Sequence, residues 1–157
     1  MSVVAIKTYV QQQTALLDVP VTCEIFAQRP KEVEVGQNAI IVVNVPQSRE
    51  KRLTMPRTYG QKVIEHQVSL VVYWVSDDEQ TGGQYFDGLL WQIDHIFRTT
   101  AIQATITDPD NGEQSVLDFV GENIDTRVDA PEFAGEDQSV VVFAAEKVLL
   151  LSERLVG

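Results

Sequence analysis

The chain has one cysteine and two histidines in 157 residues, and twelve basic residues against twenty-three acidic ones. A lone cysteine, Cys23, excludes an internal disulfide framework. It lies in the alternating stretch Val21-Thr22-Cys23-Glu24-Ile25 and is expected to be a small buried apolar side chain. No helix start or base stands nearby to make it a nucleophile. His66 and His95 share no His-x₃-His or Cys/His spacing, so no local metal motif exists. The longest apolar runs, such as Val140–Ala145, fall far short of the ~20 residues a membrane helix needs. The first ten residues hold one lysine and no continuous apolar segment, so no secretory signal is expected. The net charge of −11 repels phosphate and anionic lipid, which argues against general nucleic-acid or membrane binding. The same charge helps to keep a free subunit soluble before it assembles.

At 44% hydrophobic and 22% charged residues, the remaining composition is that of a soluble globular protein. Its length suits a single domain, 1–157. Val3, Ile6, Val10 and Leu17 form a helical stripe, expected to end near Asp18-Val19-Pro20 because proline cannot continue it. Strands are expected at about Val21–Ala27 and Ala39–Val45. The second is apolar on both faces and therefore interior to a sheet or an assembly. Residues 46–60 carry two prolines and no sustained period, and read as a loop or an extended hairpin arm.

From Arg57 to Thr100 the chain reads as one strand and one helix. Along the strand, Ile64, Val68, Leu70, Val72 and Trp74 share a face with His66, while Glu65, Gln67 and Ser69 take the other. That second face turns apolar at Val71, Tyr73 and Val75. On the helix, Phe86, Leu89, Leu90, Ile93 and Phe97 form one stripe. Gln84, Asp87, Trp91, His95 and Arg98 fall opposite, and a tryptophan there calls for a second surface to cover it. Thr81 and Gln84 have capping-box spacing, with Gly82-Gly83 read as a flexible strand-to-helix turn. Beyond the helix, Ala101–Thr107 and Ser115–Val120 flank the turn Asp108-Pro-Asp-Asn-Gly112. Asn123–Val128 alternates weakly, Pro131–Asp137 reads as an acidic loop, and Ser139–Phe143 reads as a buried strand. Glu146–Leu155 either extends that strand or turns helical, with strand preferred. The order favours an α+β fold: an antiparallel or mixed sheet with two amphipathic helices packed on one face.

Signatures of chemistry are weak. Counted from Asp108 as a calcium loop, glycine falls at position five and Phe119 at position twelve, so the EF-hand pattern fails. Gly82-Gly83 follow Asp77-Asp78-Glu79, which would repel a phosphate. No Gly-x-Ser-x-Gly or comparable acid/base signature occurs. Charge segregation says more. Residues 47–62 hold Arg49, Lys51, Arg52, Arg57 and Lys62 against Glu50 alone, while residues 108–137 hold ten acids against Arg127 alone. Such a pattern suits head-to-tail contact between copies, or an arm folded back on its own acidic loops. Arm aromatics of the kind that stack on single strands are nearly absent, Tyr59 being the one nearby. For Trp91, a contact patch with Asp87, His95 and Arg98 stands beside the plainer reading of a helix flank covered by a loop.

Taken together, helix Val3–Leu17, the strand pair with basic arm Arg49–Arg57, strand Val63–Val75 followed by helix Gly83–Thr99, and the closing Asp-Pro-Asp-Asn-Gly hairpin resemble the tail terminator (tail completion) proteins of long-tailed bacteriophages. The resemblance is one of architecture over most of the chain. It implies a small α+β subunit, made in the host cytoplasm and located in the virion, that closes into a hexameric ring. That ring caps the tail tube and joins it to the head, so the implied partners are further copies of the chain, the tail tube protein and the head–tail connector protein. No catalytic residue, cofactor, metal, membrane contact or sequence-specific nucleic-acid contact is implied. The interface is expected at Arg49, Lys51, Arg52, Arg57, Asp87, Trp91, His95 and Arg98. A head–tail joining (neck) protein of the same particle is the near alternative. A small-molecule-binding or enzymatic α+β domain is the distant one.

Overall fold

The computed structural model of the chain describes residues 3–19, 21–25, 35, 38–52, 62–99, 103–108, 112, 114–119, 125–134 and 139–155. Its elements are α1 (Val3–Thr14), β1 (Val21–Glu24), β2 (Ala39–Arg52), β3 (Lys62–Ser76), α2 (Glu79–Thr99), β4 (Gln103–Thr107), β5 (Gln114–Phe119), β6 (Asp125–Val128), β7 (Glu132–Ala134) and β8 (Val140–Leu155). One sheet takes the order β1-β2-β3-β8-β5-β4, and β6 and β7 also pair with β8. Only β1 and β2 run parallel among the described pairs. The fold is therefore α+β with a mixed sheet.

β3 and β8 form the spine, paired without a register break from Ser76↔Val141 to Lys62↔Leu155. Along the other side of β8, β7, β6 and β5 follow one another. Alternation decides which face is buried. Ile41 and Val43 of β2, Val68, Leu70 and Val72 of β3, and Phe143, Leu149 and Leu151 of β8 point to one side. There they meet Ile6, Tyr9 and Val10 of α1 and the whole expected stripe of α2, so both helices pack on one face. Each large apolar side chain buried in this layer contributes about 1.5–3 kcal/mol. The sheet curls, so that β4, last in its order, comes back against α1.

Several boundaries differ from the sequence reading. Helix α1 stops at Thr14, where the Thr14 hydroxyl donates to the Gln11 carbonyl at 2.8 Å and Leu17 N–H bonds back to Thr14 O at 3.2 Å. Leu17 reaches the core from this turn, outside the helix, and Val3 is exposed. Residues 46–52 are a continuation of β2 beyond a bulge between Asn44 and Gln47, which is the extended-hairpin alternative; residues 53–60 lie outside the described residues. The acidic stretch after Pro131 contains strand β7, and Glu146–Leu155 continues β8 as strand. Helix α2 is capped by Asp78, not Thr81: Gln80 N–H and Thr81 Oγ1 donate to its two carboxylate oxygens at 3.0 and 2.8 Å. Gly82 and Gly83 thus lie inside the helix. A Cβ on Gly82 would stand 2.6 Å from Ser76 Cβ and 2.9 Å from Phe143 Cε2, so glycine lets α2 pack closely on the sheet.

Candidate functional site

The expected interface residues divide between two places. Asp87, Trp91, His95 and Arg98 all lie exposed on the outer side of α2, as their helical spacing requires. Trp91 is 61% exposed, and its ring stacks on His95 with centroids 5.0 Å apart and planes 10° apart. Arg49, also exposed, sits on β2 directly across from Glu65 of β3. Lys51 and Arg52 belong to the same strand, paired with Val63 and Lys62. Arg57 lies outside the described residues.

Register gives the separation of these groups from the acids of β6 and β7. Arg49 aligns through Glu65 with Ser152 of β8, whereas Asp125 aligns with Val148 and Glu132 with Val142. At ~3.3 Å per residue, these offsets are about 13 and 33 Å along the strand, with three strand spacings of ~4.8 Å to cross besides. An arginine side chain cannot span either distance. Glu132 therefore lies toward the opposite end of β8 from Arg49, and Asp125 near its middle. The reading in which Arg49 folds back on those acids is excluded by this geometry.

Two buried polar clusters were missed from sequence. Beside the arm, Ser48 Oγ lies 2.7 Å from His66 Nδ1, and His66 Nε2 lies 2.9 Å from Glu153 Oε2. His66 and Glu153 are both buried, and the line joins β2, β3 and β8. Hydroxyl, imidazole and carboxylate in sequence are the parts of an acyl-transfer relay. In that relay, however, Nε2 takes the hydroxyl proton and Nδ1–H faces the acid, which is the reverse of this ring. The second cluster surrounds Lys147, whose Nζ donates to Asp94 Oδ1 of α2 at 2.7 Å and to Thr126 Oγ1 of β6 at 2.9 Å. A charge this deep persists only with such partners. Both clusters had a signal. Lys147 and Glu153 occupy inward positions of the alternating run Val141, Phe143, Ala145, Lys147, Leu149, Leu151, Glu153, visible once β8 is read as a single strand.

Elsewhere, Cys23 is half-buried against the core, less enclosed than expected. Burial pushes its thiol pKa up, the nearby Glu24 charge adds to this, and a hydrogen bond with Thr14 opposes it. The thiol therefore stays protonated, unlike a nucleophile. Two open cavities lie on the sheet face away from the helices and from His66. One of about 440 Å³ is lined by Asn44, Pro46, Gln67, Ser69, Val71 and Glu146. A smaller one of about 90 Å³ lies between Arg49, Glu65 and Leu150. Among the described residues no group of three or more His, Cys, Asp or Glu side chains is placed to hold a metal ion. No described helix is long and apolar enough to cross a membrane. No protein-family model matches the chain, and no curated protein matches it.

Proposed function

We propose that the chain is a structural, ring-forming virion subunit that terminates the tail tube of a long-tailed bacteriophage and joins it to the head. The observation that carries this reading is the charge placement: Arg49 of β2 and the acids of β6 and β7 lie apart on one sheet, out of each other's reach. Opposite charges held apart on one subunit support head-to-tail contact between copies, and such contacts close into rings when the rotation between copies is right. The exposed Trp91 supplies an anchor of the kind protein interfaces use. A hexamer, the tail tube protein on one side and the connector on the other belong to the same proposal. The test is capping: added to the particle's own polymerising tail tube protein, the purified subunit should arrest tube growth and sit at the tube end in negative-stain images. Binding to the connector alone, with tubes growing unchecked, would instead favour the neck protein.

A small hydrolase is the second reading, since Ser48, His66 and Glu153 supply the residue types of such a relay although the imidazole is turned the other way. Hydrolysis of a chromogenic ester that is lost in Ser48→Ala would support it. Equal rates for both proteins would remove it.

A further inference from the structure

We infer that the strand end Gln47–Arg52 of β2 pairs edge to edge with β6 and β7 of a neighbouring copy, so that one sheet runs on from subunit to subunit. This rests on the ring-forming reading and names its contact.

Strand order supplies the two edges. On one side β2 pairs with β3 as far as Arg52, but on the other β1 reaches only Val42. From Val43 onward no described strand lies on that second side. Across the sheet, β6 and β7 pair with β8 alone among the described strands, and residues 125–134 are exposed throughout. Such edges offer backbone N–H and C=O groups to a further strand. Together β6 and β7 run along Val140–Val148 of β8, roughly 26 Å at ~3.3 Å per residue, and Gln47–Arg52 needs roughly 17 Å.

Direction and face agree. Both β2 and β8 are antiparallel to β3, and β6 and β7 are antiparallel to β8. The two edges therefore run in opposite senses, and a neighbour that continues the sheet presents an antiparallel pair. Arg49 aligns through Glu65 with Ser152, Asp125 with Val148, and Glu132 with Val142, all on the sheet face away from the helices. Asp129, next after Val128 and bonded through its N–H to Ala144 O, falls on that face too. A continued sheet thus brings Arg49 of one copy onto the face that carries these three acids in the next. The offset of about 13 Å between the Arg49 and Asp125 rungs becomes a stagger between copies, as a sheet closed on itself requires.

Charge selects this pairing over others. Two β2 ends, each with Arg49, Lys51 and Arg52 against Glu50, repel one another. So do two β6–β7 edges, each with Asp125, Asp129 and Glu132 against Arg127. Unlike edges attract, which gives head-to-tail contact rather than a two-fold dimer. Pro46 and the bulge before Gln47 confine pairing to the basic end of β2. The outer strands β1 and β4 carry one charge between them, Glu24, and both pack against α1.

The test reads hydrogen–deuterium exchange of the full-length protein as monomer and as ring, with mass followed by sedimentation velocity. Amides within 47–52 and 125–134 should exchange at least about tenfold more slowly in the ring, because new backbone hydrogen bonds form there. Arg49→Glu with Lys51→Glu should stay monomeric, and so should Asp129→Lys with Glu132→Lys, with circular dichroism to check folding. All four substitutions in one chain should restore rings, because the attraction is then only reversed in sign. Wild-type rings in which both segments keep their monomer exchange rates would overturn the pairing and leave the ring reading standing. Protection that arises only on adding the particle's tail tube protein would overturn it too, and give the edge to that partner. If wild-type protein never assembles, the ring reading falls and this contact falls with it.

Discussion

Removing Asp94 should damage this protein far more than removing the charge it binds. The Lys147 side chain is 1% exposed and that of Asp94 is 18% exposed, with Nζ and Oδ1 2.7 Å apart. In Asp94→Ala the ammonium stays buried with one neutral partner, Thr126 Oγ1. Orphaning one member of a buried pair costs about 3–5 kcal/mol. The low end applies here, because partial exposure at Asp94 lets water approach the vacated site. In Lys147→Met the ammonium is gone, a flexible thioether fills similar volume, and the carboxylate can turn to solvent; the change should be within about 1 kcal/mol. For a chain of this size 1 kcal/mol moves the melting temperature by about 2–4 °C, so Asp94→Ala should melt roughly 6–12 °C lower and Lys147→Met within about 4 °C of wild type. Calorimetry at one low protein concentration keeps assembly from entering the comparison. The Asp94→Ala, Lys147→Met double variant should match Lys147→Met alone. Equal losses in the two single variants would refute the reasoning, since the attraction itself would then outweigh the orphaned charge.

Two glycines of α2 should respond oppositely to alanine. Gly82→Ala should destabilise by about 1–3 kcal/mol from overpacking against Ser76 and Phe143, whereas exposed Gly88, with nothing within 4 Å of its added Cβ, should gain about 0.5–1 kcal/mol of helix propensity; urea titrations of both decide it. The Thr81 hydroxyl first, then the Gln80 amide, hold the Asp78 carboxyl below its ordinary pKa of 3.8. Its cap therefore contributes fully above that value and is lost as pH falls through the lowered folded pKa; Asp78→Asn, which does not titrate, should show a shallower acid limb in pH-dependent melting. Cys23, its thiol pKa raised by burial, should alkylate more slowly in native protein than in urea at pH 8, and equal rates would show an open thiol.

What the sequence made legible was whatever repeats with a single period. The α2 stripe, the outward Trp91 and both faces of β3 follow from spacing alone, because helical and strand periods fix direction. Termination was harder. Helix α1 ends at Thr14, three residues before the apolar spacing stops. Asp78 outcompeted Thr81 as the cap because both of its carboxylate oxygens find donors. The arm read as either a loop or an extended hairpin because the bulge before Gln47 breaks its alternation while β3 still pairs with it on the far side. Lys147 and Glu153 drew no reading from sequence, since their partners, Asp94 and His66, are distant in sequence. As for the interface, its residue types were visible, but the separation of Arg49 from the β6–β7 acids needed the strand order.

The central claim is that copies of this chain join head to tail and close. Sedimentation equilibrium of the wild-type protein across a wide concentration range, at low and high salt, tests it most directly. The expected result is a reversible shift from one subunit to a single closed mass, six subunits if the proposed hexamer is right, weakened by salt as charge-driven contact requires. A monomer at every concentration and salt would contradict it, as would an open series of masses growing without limit.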